Sequence, residues 1–111
     1  MDDLATLLER IDRLLAASRE EGAQSADVRA HMETTLTDGY ARALALEAEH
    51  WRLQREIGAI AAEIAEGQED ARTNELAELV RRLKASEEEL LSLRDTLRTL
   101  RGRIASGARA A

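Results

Sequence analysis

Apolar residues recur along the last third of the chain at alternating spacings of three and four. Leu76, Leu79, Leu83, Leu90, Leu93, Leu97, Leu100 and Ile104 keep that step, and Ser86 is the one polar member. A stripe of period 3.5 belongs to a helix that buries a seam against another helix along its whole length. The middle of the chain carries a second stripe with the same step: Met32, Leu36, Gly39, Ala43, Leu46, His50, Leu53, Ile57, Ile60 and Ile64. The first twenty residues show a broader apolar face built from Leu4, Leu7, Leu8, Ile11, Leu14 and Leu15, as expected of a shorter amphipathic helix.

Three helices are therefore predicted, over about residues 3–21, 26–66 and 71–106, within a single helical domain spanning 1–111. Asp2 or Asp3 can cap the first, Gly22 can end it, and Ser25 can cap the second. Gly67 stops the second, and Ser106-Gly107 is a fair stop for the third. The weak stretch is Thr34-Thr35-Leu36-Thr37-Asp38-Gly39, where threonine, aspartate and glycine are poor helix formers. A continuous helix through it is expected, with a kink at Asp38-Gly39 as the alternative. No proline occurs anywhere, so no strong helix breaker opposes this reading. Period-two runs of β-branched and aromatic residues are lacking, and no strand is predicted.

The polar link between Gly67 and Thr73 is short enough to make the two long helices antiparallel neighbours. Folding the chain at Asp70 sets Ile64 near Leu76, Ile57 near Leu83, His50 near Leu90, Ala43 near Leu97 and Leu36 near Ile104. Ser86 falls beside Leu53, and Gly39 beside Leu100. The predicted fold is all-α: a long antiparallel coiled-coil hairpin with the shorter N-terminal helix packed on its open end. The tip half, from about Leu46 through Leu93, then holds only two helices. Two helices cannot cover both sides of an apolar seam, so a second copy is expected there, giving a four-helix section by two-fold symmetry.

Composition narrows the chemistry. Cysteine is absent, which excludes disulfides, zinc–thiolate sites and iron–sulfur clusters held by the chain's own thiols. The glycines at 22, 39, 58, 67, 102 and 107 are not clustered, so no phosphate-binding loop is present. No nucleophile elbow is found. Neither catalysis nor a cofactor is expected. No apolar run reaches the ~18–20 residues of a membrane span, and Met1-Asp2-Asp3 does not open a signal peptide; a cytoplasmic protein is the expectation. Fifteen arginines against one lysine suggest a GC-rich, bacterial coding sequence.

Charge is unevenly placed. The net charge is −6, yet the last eighteen residues carry Arg94, Arg98, Arg101, Arg103 and Arg109 against Asp95 alone. Arg94, Arg98 and Arg101 line one helix flank, as phosphate contacts would require. The plain account is that cations complement a helix C-terminus and attract the acidic first helix. Nucleic-acid association is the runner-up function.

Tyr40, Leu44, Glu47 and Trp51 repeat the heptad one step away from the seam. One reading is a docking surface, since tryptophan and tyrosine anchor interfaces. The other is internal packing, with Tyr40 and Leu44 under the first helix. Trp51 lies beyond that helix's reach. Tyr40, Trp51 and Leu91 are accordingly the candidates for contact between chains. Glu47 and His50 have the Glu-x-x-His spacing of carboxylate-bridged metal bundles, but Glu87, Glu88 and Glu89 flank the opposite seam rather than interrupting it. A lone histidine at a heptad core position ordinarily sets register. His31 has no acidic or cysteine partner at ligand spacing. The predicted function is that of a non-enzymatic structural or interaction protein, a homodimeric coiled-coil module with a protein partner.

Overall fold

The computed structural model describes residues 3–21, 26–67 and 70–110. Among these, three helices and no strands occur: α1 (Asp3–Glu21), α2 (Ala26–Ala65) and α3 (Asp70–Ala110). The long helix α2 packs against α3, and α1 packs on them, which makes the fold a helical hairpin. The expected caps Asp2, Gly22 and Ser25 lie outside the described residues.

α2 is continuous through the threonine-rich stretch. The Thr37 hydroxyl donates to the Glu33 carbonyl one turn back at 3.2 Å, a bond that leaves the hydroxyl satisfied within the helix but does not itself stabilise it. Met32 and Thr35 are buried on this first part of α2, so packing offsets weak propensity. The end of α2 is a glycine-terminated turn. The Glu66 N–H is shared between the Ala62 and Glu63 carbonyls, both at 3.1 Å, and the Gly67 N–H donates to the Ile64 carbonyl at 3.0 Å. Gly67 has φ 104°, a conformation open to glycine and costly for other residues.

α3 runs past the expected stop. Gly107 is buried within the helix and continues to Ala110 without positive φ. The reason lies in its position: 107 is three residues past Ile104 and so extends the seam. A glycine ends a helix when the backbone turns left-handed, and here it remains helical on a packed face.

The described residues fall into two compact sections. One comprises residues 1–43 and 92–111 and contains three helices. Its core includes Leu4, Leu7, Ile11, Met32, Leu93, Leu97 and Leu100, all buried. α1 approaches α2 from the side that bears Asp38 and Arg42. Arg10 Nη2 lies 2.7 Å from Asp38 Oδ2, and an open cleft beside this contact is lined by Thr6, Leu7, Arg10, Asp38 and Arg42. Gly39 meets α3 closely: a Cβ there would overlap Leu97 Cδ2, with Cδ1 and Cγ each at 3.3 Å. The expected neighbour of Gly39 was Leu100, so this contact lies about one helical turn away from the simple fold-back. A bulky leucine seats where the facing backbone carries no side chain, and that preference outweighs an even layer count.

The other section, Leu44–Leu91, contains α2 and α3 alone. Leu53, Ile60 and Leu79 form its buried cluster, with Ile57, Ile64, Leu76 and Leu83 packed against it. These residues belong to the two apolar stripes of period 3.5 on α2 and α3. Beside the turn, Arg72 bridges Glu75 at 2.7 Å and Glu63 at 2.9 Å. The Glu63 contact is a close ion pair without hydrogen-bond geometry. The hydrogen bond that Arg72 donates to Glu75, then the charges of Glu63 and Glu75, raise the Arg72 pKa above its ordinary value.

Candidate interaction surface

A heptad lettering of the two-helix section shows how its surface is divided. With Leu46, Leu53 and Ile60 at d, positions His50, Ile57 and Ile64 are a. On α3, Leu79 and Ser86 are d, while Leu76, Leu83 and Leu90 are a. Around each helix the order is d, a, e, b on one flank and a, d, g, c on the other. In an antiparallel pair the rotational sense of one helix is reversed relative to its neighbour, so the e and b positions of both helices share one side.

All the large exposed hydrophobic residues of this section fall on that side. Leu44 and Trp51 are b positions on α2, 67% and 63% exposed; Leu91 is b and Val80 e on α3, 67% and 48% exposed. The opposite side carries Ala45, Glu49, Arg52, Glu56, Ala59 and Glu63 on α2, and Glu75, Glu78, Arg82, Ala85 and Glu89 on α3. The core is open in the same direction. The d residues Leu46, Leu53, Ile60, Leu79 and Ser86 are buried, whereas the a residues His50, Ile57, Ile64, Leu76 and Leu83 are half-buried; of the a residues only Leu90, at the end of the section, is buried. The a layer borders the e/b side, so the seam is sealed on one flank and solvent-facing on the other. An apolar surface of this kind, rimmed by charge, is the ordinary mark of a protein-contact site.

Besides the ion-paired Glu63 Oε2, two buried polar atoms among the described residues of this section are without hydrogen-bond partners: Ser86 Oγ and His50 Nδ1. His50 also meets Trp51 edge-on, with ring centroids 6.3 Å apart and planes at 86°, which helps to fix the indole on the open side. Among the described residues no group of three or more His, Asp or Glu side chains is placed to hold a metal ion. Glu47, His50 and the Glu87–Glu89 run therefore do not converge. His31 is exposed at the start of α2, with its Nδ1 2.7 Å from the Asp27 carbonyl.

Tyr40 belongs to the three-helix section and is 42% exposed. It does not lie under α1, contrary to the packing reading. α1 sits on the Asp38–Arg42 side of α2, and two residues along a helix is a rotation of about 200°, so Tyr40 faces away. Leu44, expected under the same helix, is exposed as well. Which flank of α2 would receive α1 was not marked in the pattern, since the alanines, threonines and arginines of the receiving side resemble a solvated surface.

The C-terminal arginines divide. Arg94, Arg98 and Arg101 are exposed and share the e/b flank with Tyr40, whereas Arg103, half-buried, is a g residue on the other flank. Arg98 lies 3.6 Å from Asp95. No helix among the described residues is long and apolar enough to cross a membrane. The chain matches no protein family, curated protein or solved structure.

Proposed function

We propose that this chain is a non-enzymatic structural or interaction protein, a homo-oligomeric coiled-coil module that mediates protein–protein contacts through the open side of its two-helix section. The observation that supports it is the confinement of Leu44, Trp51, Val80 and Leu91 to the side on which the a layer is also half-exposed. An apolar strip without converging polar groups suits packing rather than bond-making, and exposed tryptophan is the residue type that most often anchors a contact. Sedimentation velocity over the micromolar range tests it. Association is expected for the native chain, and its loss in a Trp51→Glu/Leu91→Glu variant of unchanged helicity. A native chain that stays monomeric and binds nothing refutes the reading.

One observation favours a second reading, a small nucleic-acid-associated regulator. Arg94, Arg98 and Arg101 lie on the flank that also exposes Tyr40, a pairing of cations and an aromatic ring that suits phosphate contact and base stacking. The net charge of −6 opposes it. Salt-dependent retardation of duplex or single-stranded oligonucleotides, lost in Arg98→Ala/Arg101→Ala, is its expected sign; no retardation at low salt dismisses it.

A further inference from the structure

Resting on the interaction-module reading, we propose that two copies of this chain pair through their open sides about a two-fold axis along the hairpin, and that Glu47, His50 and Glu87 of both then hold two divalent metal ions. The starting point is the level at which each residue of α3 faces α2. Leu53 and Ile60 are two turns apart, about 10 Å, too far to touch. The buried cluster that holds both is completed by Leu79, so Leu79 lies between them, at the level of Ile57. The ion pair of Arg72 with Glu63 agrees with that offset, and the contact of Gly39 with Leu97 repeats it. One heptad further from the turn, His50 stands level with Ser86, and Glu87 falls between the levels of Glu47 and His50. His50 Nδ1 and Ser86 Oγ, both buried without hydrogen-bond partners, therefore share one layer.

When two hairpins stack on their open sides, the a and e positions of every helix point to the common axis. That axis lies diagonally between the neighbour in the same chain and the neighbour in the other. Among the described residues of this section, the ionisable side chains at a and e are Glu47, His50 and Glu87, and they occupy one level. A Glu-x-x-His pair on one helix with a glutamate on its neighbour is half the donor set of carboxylate-bridged two-metal bundles. An axis along the hairpin keeps every level, so a second copy supplies the other half: four carboxylates and two imidazoles. Within one chain no such group is placed to hold a metal ion, so the site is incomplete without the partner. Four carboxylates facing each other in a covered core repel, whereas two divalent cations balance their charge. Mixed carboxylate and imidazole donors suit iron, manganese or zinc.

The same axis stacks α2 on the partner's α3 level for level, and the side chains that meet suit each other. The exposed Leu44 meets the partner's Leu91. Trp51 covers the partner's Lys84, the chain's single lysine, as a cation on an indole face. Gly58, where a Cβ would meet nothing within 4 Å in its own chain, lies against the partner's Ala77 and lets the helices approach. The half-exposed a layer is covered, and a four-helix section is completed. Residues 44–65 of α2 span about 30 Å, and two helices side by side are about 20 Å across. That is roughly 600 Å² of projected face, close to the ~800 Å² per partner of a standard-size interface once surface relief is counted.

Titration of the full chain, freed of metal with EDTA, with Zn²⁺ or with Fe²⁺ in the absence of oxygen tests the site. Calorimetry is expected to show one ion bound per chain. Sedimentation is expected to show a dimer tightened at least about tenfold over its EDTA state, because the metal binds the paired form. His50→Leu, which puts an apolar residue at a seam position, and Glu87→Gln, on an exposed residue, are each expected to abolish both effects with helicity unchanged. His31→Gln removes the other histidine, and Glu88→Gln removes a carboxylate on the outward f position; neither is expected to change uptake or assembly. A native dimer indifferent to metal overturns the site and leaves the interaction-module reading standing. So does uptake that survives His50→Leu, or that Glu88→Gln weakens as much as Glu87→Gln. A chain that stays monomeric with metal present overturns the shared site as well. The interaction-module reading then stands if that monomer captures another protein through Trp51, and falls if it captures nothing.

Discussion

Alanine at Gly39 and alanine at Gly102 are expected to move stability in opposite directions. Both glycines sit inside helices of the three-helix section. At Gly102 a Cβ would meet nothing within 4 Å, so Gly102→Ala is expected to gain the full difference in helix propensity, about 1 kcal/mol. At Gly39 the same gain is opposed. The new Cβ would overlap Leu97 Cδ2, with Cδ1 and Cγ each at 3.3 Å. Leu97 is buried among its neighbours and cannot turn away without displacing them. Overpacking of this kind costs about 1–3 kcal/mol, so Gly39→Ala is expected to be destabilising by roughly 0–2 kcal/mol net. Urea unfolding followed by circular dichroism at 222 nm, at one fixed protein concentration, measures both. The midpoints are expected to separate, with a melting-temperature rise of about 3–6 °C for Gly102→Ala. In a Leu97→Ala background the overlap is gone, and Gly39→Ala is expected to become stabilising by about 1 kcal/mol. Equal stabilisation at both glycines in the native background would refute the reasoning, because Leu97 would then not be seated on Gly39.

Ser86→Ala is expected to stabilise the hairpin by about 1 kcal/mol in the same assay, since the buried hydroxyl has no partner to lose. Ile11→Ala is expected to cost about 2–4 kcal/mol and to raise amide exchange throughout α1, because Ile11 is fully buried; Arg10→Ala, which removes a solvent-exposed ion pair to Asp38, is expected to cost under about 1 kcal/mol. Arg72→Gln is expected to leave the melting temperature nearly unchanged at high salt and slightly lower at low salt, since its pairs with Glu75 and Glu63 are exposed to screening. The raised Arg72 pKa means that the group stays protonated in both folded and unfolded chains at any ordinary pH. It therefore adds no pH dependence between pH 5 and 9, as melts across that range would show.

Much of the fold was legible because it is written in local periodicity. The step of three and four from Leu76 to Ile104 depends only on helix geometry and the need to hide leucine from water, and both travel with the residues themselves. The glycine at 67 ends α2 for an equally local reason, its tolerance of positive φ. The confluence of exposed leucine and tryptophan was half legible. Trp51 and Leu91 stood out as apolar residues off the seam, but their shared side follows from the antiparallel pairing of two helices. Val80 and Gly58 gave no signal that a pattern of large apolar residues could register.

The amino-acid order by itself determined that this chain is helical, where its seams run, and that the long helices need each other. Tertiary structure alone decided that α1 settles on the Asp38–Arg42 flank, that Leu97 fits against Gly39, that Gly107 stays within α3, and that the a layer remains open beside Trp51. Periodicity specifies which stripe must be covered, whereas the choice of cover depends on shape, and shape exists only once distant segments are brought together.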